Sequence, residues 1–295
     1  MTTKNVDPRR DIWGALIAES DETKMSLGQN DAHFLFIGST QCGKSTLQNA
    51  FFSRLEEPRP TLALSYQSCN VHVQDKDKTL HFWELGGGQK LEKILNTIVT
   101  PETQKNFYVF IVLDIMKYKS INEALEWLPI IMRRFKSDIG GAFVVATHYE
   151  EFDEKDPSFK AKIINGLQAT IHQYGCGLVT FSSKIDSLMT RFKVLVKSLV
   201  IPDVKKPERQ NSHNAPTLIY PGDDTDSYGN SIDSMQQFTT FVRAELLKET
   251  NDREAKGGSE VKIDDPYYAD EEIDKTVREQ NKLLDDKLKA LIASI

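Results

Sequence analysis

At 295 residues, with 39% hydrophobic and 27% charged side chains, the chain carries enough apolar material for one large α/β domain with appendages, or for two small ones. A formal net charge of −6 argues against a general nucleic-acid partner, and no run of about 18 apolar residues is present to cross a bilayer, so no membrane insertion is expected. Three scattered cysteines, Cys42, Cys69 and Cys176, exclude a disulfide framework or zinc site as organising features and suit a reducing compartment. No N-terminal apolar segment resembles a signal peptide, and a soluble intracellular protein is expected.

Residues 7–20 open with Asp7-Pro8 as cap and first-turn proline and place Ile12, Trp13, Leu16 and Ile17 at helical spacing, which predicts an amphipathic helix. After the polar loop Asp21 to Asp31, apolar runs alternate with helical patterns, as in a mostly parallel sheet with helices on both faces. The spacing predicts strands at 32–37, 65–73, 79–85, 107–113, 142–147 and 177–181. Gln74 to Lys78 reads as the turn of an antiparallel hairpin, and helices are predicted near 120–136, 158–173 and 185–199.

Between Ile201 and about Ser231 the pattern gives way to Pro, Asp, Asn and Gly, with one short apolar piece at Leu218-Ile219-Tyr220. Residues 233–249 read as a helix and Thr250 to Asp265 as a linker. Behind Pro266, an acidic start leads into Ile273, Val277, Leu284, Leu288, Leu291 and Ile295, a heptad-like seam on a charged helix. Residues 245–295 hold 14 acidic and 9 basic side chains, so the tail is acidic and the body nearly neutral. The final helix either folds back or docks on another chain, and both readings stay open.

The stretch that organises the rest is Gly38-Ser39-Thr40-Gln41-Cys42-Gly43-Lys44-Ser45, between the apolar run Phe34 to Ile37 and the helical pattern that starts at Ser45. Strand, Gly-x-x-x-x-Gly-Lys-Ser and helix make a phosphate-binding P-loop. Gly38 and Gly43 let the backbone turn its N–H groups inward, with Cys42 and Thr46 in the same cradle. Lys44 reaches β- and γ-phosphates, Ser45 can ligate Mg²⁺, and the helix N-terminus adds favourable field. With it, six strands of which the second is antiparallel match the small-GTPase arrangement: an α/β, Ras-like P-loop domain over 32–200. It is preceded by a helix and loop at 1–31 and followed by an irregular segment and packed helix at 201–249, then by linker and acidic helix at 250–295.

The remaining switch parts are present but altered. Thr61 lies where a switch threonine offers its hydroxyl to Mg²⁺, which makes Ser45 and Thr61 the expected metal ligands. At the end of the third strand, Trp83-Glu84-Leu85-Gly86-Gly87-Gly88 puts Glu84 where an Asp is usual and Gly87 where an N–H meets the γ-phosphate. The extra methylene carries the carboxylate about 1.5 Å further, which displaces or excludes Mg²⁺. Gly88 stands where a Gln would orient the attacking water, and Gln89 comes one position late, so hydrolysis is expected to be slow or absent. For the base, Thr147-His148-Tyr149-Glu150 replaces Asn-Lys-x-Asp. Glu150 keeps an acceptor, His148 can stack, and Ser182-Ser183-Lys184 fits the segment that touches a guanine oxygen, while adenine stays open.

Arg59-Pro60-Thr61-Leu62-Ala63-Leu64-Ser65-Tyr66 together with His81-Phe82-Trp83-Glu84-Leu85-Gly86-Gly87-Gly88 resembles the light intermediate chains of cytoplasmic dynein, nearest the dynein-2 type of retrograde intraflagellar transport. Asp11-Ile12-Trp13, Phe181 to Lys184, Asp226-Ser227-Tyr228-Gly229 and Asp265-Pro266-Tyr267-Tyr268-Ala269 extend the likeness over most of residues 8–290. The resemblance implies a Ras-like fold turned non-catalytic motor subunit. It would hold GTP or GDP with Mg²⁺, or nothing, and bind the dynein-2 heavy chain and other dynein subunits in the cytoplasm, on the cytoskeleton and at the cilium or its base. The competing expectation is an active GTPase switch in transport; a P-loop kinase is a distant third, since no lid-like arginine cluster is visible.

Overall fold

The computed structural model describes residues 31–223 except 55, 57, 74–75, 101–102 and 136–138, then residues 238–244 and 246, and the single positions Lys275 and Lys282. The helix expected at 7–20, the Asp226–Gly229 turn, and the linker and final helix beyond residue 250 lie outside these residues. The chain divides into two compact units, 1–250 and 251–295; the fold below is that of the first.

Among the described residues one sheet of seven strands is ordered β2-β3-β1-β4-β5-β6-β7. β1 (Ala32–Gly38), β3 (Lys76–Leu85), β4 (Phe107–Asp114), β5 (Gly141–Thr147) and β6 (Gly177–Thr180) run parallel, while β2 (Leu64–Val73) pairs antiparallel with β3. The continuous apolar runs are explained by alternation between two cores. Leu35, Ile37, Val109, Ile111 and Leu113 point to one face, and Phe34, Phe36, Phe110 and Val112 to the other. Helices α3 (Tyr118–Phe135) and α5 (Pro157–His172) cover the first face. In α3, Ile121, Ala124, Leu125, Leu128, Ile131 and Phe135 follow the i, i+3, i+4, i+7 pattern of a buried stripe. α1 (Lys44–Phe52) and α6 (Asp186–Val200) cover the second face with Leu47, Phe192, Leu195 and Val196. Each fully buried Phe or Leu contributes about 1.5–3 kcal/mol, so interior strands with both faces covered are the firmest part of the molecule.

The strand count corrects the sequence expectation of six. β7 (Leu218–Ile219) adds antiparallel to β6, with Leu178 opposite Ile219 and Val179 opposite Leu218. Two residues are too few to show a period, yet Leu218 and Ile219 are fully enclosed. The segment before β7 is held by Arg191, whose Nη1 donates to Gln210 Oε1 and Pro216 O, and by Tyr220, whose hydroxyl donates to Pro207 O. β3 also starts three residues earlier than expected, because the charged Lys76 to Lys78 pair with Val73 to Val71 along the edge hairpin. Sequence reading passed over the 3₁₀ turn Gly88–Ile94, the short α2 (Leu95–Ile98) and the one-turn α4 (Tyr149–Asp153). Residues 238–244 are helical; Phe238, Val242 and Leu246 enter the core on the α5 side, with Phe241 against Phe159.

Candidate nucleotide site

The C-terminal ends of the parallel strands, where an open α/β sheet takes its ligands, surround a cavity of about 490 Å³, within the usual range for a small-molecule site. Of the residues expected to bind nucleotide, Gly43, Lys44, Ser45, Thr46, Gly87, His148, Glu150, Ser183 and Lys184 line it, as does Thr61. Gly38, Cys42 and Ser182 do not line it. Gly38 stands behind the loop at φ +141°, where a Cβ would lie 2.0 Å from Val112 O. Cys42 turns its thiol inward, and burial pushes the thiol up from its ordinary range despite the nearby Lys44 charge, so it is no reactive nucleophile. Ser182 is buried one layer back, where its Oγ accepts the Lys184 N–H at 3.1 Å.

The phosphate end is built by β1 and α1. Lys44 is buried, and its Nζ donates to Ser39 O at 2.7 Å and Gly38 O at 3.2 Å, which curls the ammonium over its own loop. Ser39 Oγ lies 2.6 Å from Ser120 Oγ, and Ser120 Oγ accepts the Asp114 N–H at 2.8 Å, which ties the loop to β4 and α3. Thr147, in place of a base-reading Asn, holds the loop from the other side: its hydroxyl is shared between Cys42 O at 2.8 Å and Leu113 O at 2.9 Å. A loop braced on two sides keeps its shape, as a preformed anion cradle requires.

Ser45 Oγ and Thr61 Oγ1 both donate to Glu84 Oε1, at 2.7 and 2.9 Å. Two hydroxyls and a carboxylate are hard oxygen donors, and this set fits Mg²⁺ completed by phosphate oxygens. Glu84 is thus central to the site rather than a degraded position. Next to it, neither position expected to orient water lines the cavity, and the Glu123 carboxylate lies against Gly88. Gly88 has no side chain, and Gln89 turns away, donating from Nε2 to Glu126 Oε2 on α3 at 3.1 Å.

At the base end, His148 adopts a left-handed backbone at φ 60°, with Nδ1 3.1 Å from Thr147 Oγ1 and 3.4 Å from Asp114 Oδ1. Asp114 is in turn paired with Lys117 at 2.8 Å. Glu150 Oε1 pairs with Lys184 Nζ at 3.2 Å, while Oε2 is buried with no hydrogen-bond partner among the described residues. Burial opposes the Glu150 charge, but hydrogen bonds from Ser182 and Lys184, with the Lys184 charge, outweigh it and hold the carboxyl below its ordinary value. Glu150 is half-buried and lines the cavity as an ionised acceptor, a group suited to a ligand that offers N–H donors. Sequence reading missed Thr40, Gln41, Pro58, Arg59, Pro60, Glu151 and Phe181 in the lining. Pro58-Arg59-Pro60 was the legible signal of a stiff loop, and Gln41, a variable position of the P-loop motif, sits at φ 59°.

Comparison with known proteins agrees with this geometry. Residues 33–156 match the Ras family. Over 264 residues the chain is 25% identical to cytoplasmic dynein 2 light intermediate chain 1 of Bos taurus, covering 74% of this chain and 75% of the relative. The Homo sapiens protein of that name is 25% identical over 268 residues, 75% of each chain, and the Danio rerio protein 24% over 251 residues, 70% of each. Among the described residues no helix is long and apolar enough to cross a membrane. By sequence the chain is similar, over about three quarters of its length, to cytoplasmic dynein 2 light intermediate chains, and its core has the fold of a Ras-like P-loop domain.

Proposed function

We propose that this chain is a non-catalytic light intermediate chain of the dynein-2 motor. It binds the heavy-chain tail alongside other dynein subunits and supports retrograde intraflagellar transport and cilium assembly. It works in the cytoplasm, on the cytoskeleton and at the cilium and its base. The partner and the place rest on the similarity to relatives named as dynein-2 light intermediate chains. The non-catalytic reading rests on one observation: the phosphate cradle is braced and complete, while Gly88 and the averted Gln89 provide nothing to activate water.

In this reading the cavity holds GTP or GDP as a structural ligand. Lys44 and the loop N–H groups take the phosphates, and the Glu150 carboxylate takes the guanine N–H donors, with Ser183 and Lys184 beside it. Mg²⁺, held by Ser45 and Thr61 with the phosphates, supplies charge neutralisation. A ligand present at 100 times its Kd adds about 2.7 kcal/mol to stability with no turnover. Residues 250–295 serve as an appendage for partner docking. Affinity capture of the tagged full chain tests the assignment. Dynein-2 heavy chain should co-purify with both wild type and Lys44→Ala, and deletion of residues 266–295 should reduce capture more than it lowers the melting temperature. Absence of heavy chain from the wild-type capture would defeat the reading, and its loss from Lys44→Ala at an unchanged melting temperature would favour the GTPase switch.

A further inference from the structure

Glu84, next to last in β3, is 3% exposed, and a single oxygen of it joins two parts of the cavity that are far apart in sequence. Ser45 belongs to the phosphate cradle and Thr61 to loop 58–63 above it, and both hydroxyls give their proton to Oε1. Two further contacts seat the loop on the end of β3. Gly86 N–H donates to Ala63 O at 2.7 Å, and Gly86 lies so close beneath Thr61 that a Cβ would be 2.1 Å from Thr61 O. A carboxylate drawn back by one methylene, about 1.5 Å, would leave at least one hydroxyl outside hydrogen-bond range. The length of Glu is what allows the bridge.

In nucleotide switches the corresponding loop is ordered by the γ-phosphate and its metal and released when that phosphate leaves. Here the tether is a protein carboxylate and involves no phosphate atom. A hydroxyl has one proton and two lone pairs, so donation to Glu84 leaves Ser45 and Thr61 able to ligate a cation, and tether and metal do not compete. We infer that Glu84 is a positioning residue that fastens loop 58–63 to the P-loop independently of the γ-phosphate, so that the site accepts nucleoside di- and triphosphates alike and keeps one loop conformation with either. The ligand half of this inference rests on the proposed nucleotide site; the loop half stands without it.

Amide hydrogen exchange on the full chain tests the loop half. It is measured nucleotide-free, with GDP and Mg²⁺, and with a non-hydrolysable GTP analogue and Mg²⁺. In wild type the amides of residues 59–64 should exchange at rates within about twofold across the three conditions. Thr61→Val, which keeps the side-chain shape but removes the donor, should speed their exchange about tenfold while β1 and β4 stay protected. Glu84→Asp should make their protection depend on the γ-phosphate. Titration with fluorescent GDP and the analogue tests the ligand half: wild-type Kd values should agree within about threefold, and a gap beyond tenfold would overturn it. A wild-type loop protected only with the analogue, or one unaffected by either variant, would overturn the tether. If neither nucleotide binds, the nucleotide site itself fails, and nucleotide-free exchange in wild type against Thr61→Val still decides the tether.

Discussion

On one side of the cavity, Lys44, Ser45 and the loop between Gly38 and Gly43 keep every part that a phosphate needs, braced by Ser120 and Thr147. On the other side, at the end of β3, Gly88 presents no side chain and Gln89 is bonded to Glu126 on α3. The two sides belong to the same fold, yet one carries the groups that suit a phosphate, while the other offers only a buried Gly88 and an amide bonded elsewhere. Holding a phosphate needs oriented N–H groups and a cation; hydrolysing it needs a further group placed to orient water. The two demands fall on different residues, so one can be kept while the other is given up. A subunit that uses a nucleotide to stay folded needs only the first.

Three substitutions set the parts of the cavity against each other. Lys44→Ala should weaken GDP binding by about 100-fold, the loss of charged hydrogen bonds to phosphate, measured by calorimetric titration. A loss below fivefold would mean that the braced cradle does not meet phosphate. Gln89→Ala should leave GDP affinity and any residual hydrolysis within about twofold of wild type, because its amide contacts α3 and not the cavity. A clear drop in hydrolysis would place Gln89 among working groups. Glu150→Gln decides where the base end belongs: with an N–H donor replacing one acceptor oxygen, guanine nucleotide should bind about tenfold more weakly.

The same Glu150 carries a pH signature. Its carboxyl in the folded protein lies below the ordinary value of 4.5, so the unfolded chain takes up the proton first as pH falls. The group's contribution to stability is therefore fully present above pH 4.5 and is lost as pH falls through the lower folded value. Denaturant melts at pH 7, 5 and 4 should show a steeper acid-side loss for wild type than for Glu150→Gln. Parallel curves would show that the Ser182 and Lys184 contacts do not hold the charge in solution.

Much of the fold was legible because its cause is local. Runs such as Phe107 to Leu113 are apolar at every position because alternate residues enter different cores, and helix α3 shows its stripe plainly. The P-loop was legible because its geometry follows from residues fixed by the covalent chain. β7 and the start of β3 were not: the first is two residues long, and the second hides in charged edge residues. The bridge at Glu84 was read only as an Asp lengthened by one methylene, since Ser45 and Thr61, 39 and 23 residues away, meet it only after folding. The same holds for Gln89, whose neighbour Glu126 is 37 residues on.

Single-turnover hydrolysis with GTP and Mg²⁺, on wild type with the nucleotide bound, tests the separation of binding from turnover most directly. The account predicts that GTP stays intact in the cavity, decaying no faster than in a Lys44→Ala control; decay clearly above that control would contradict it.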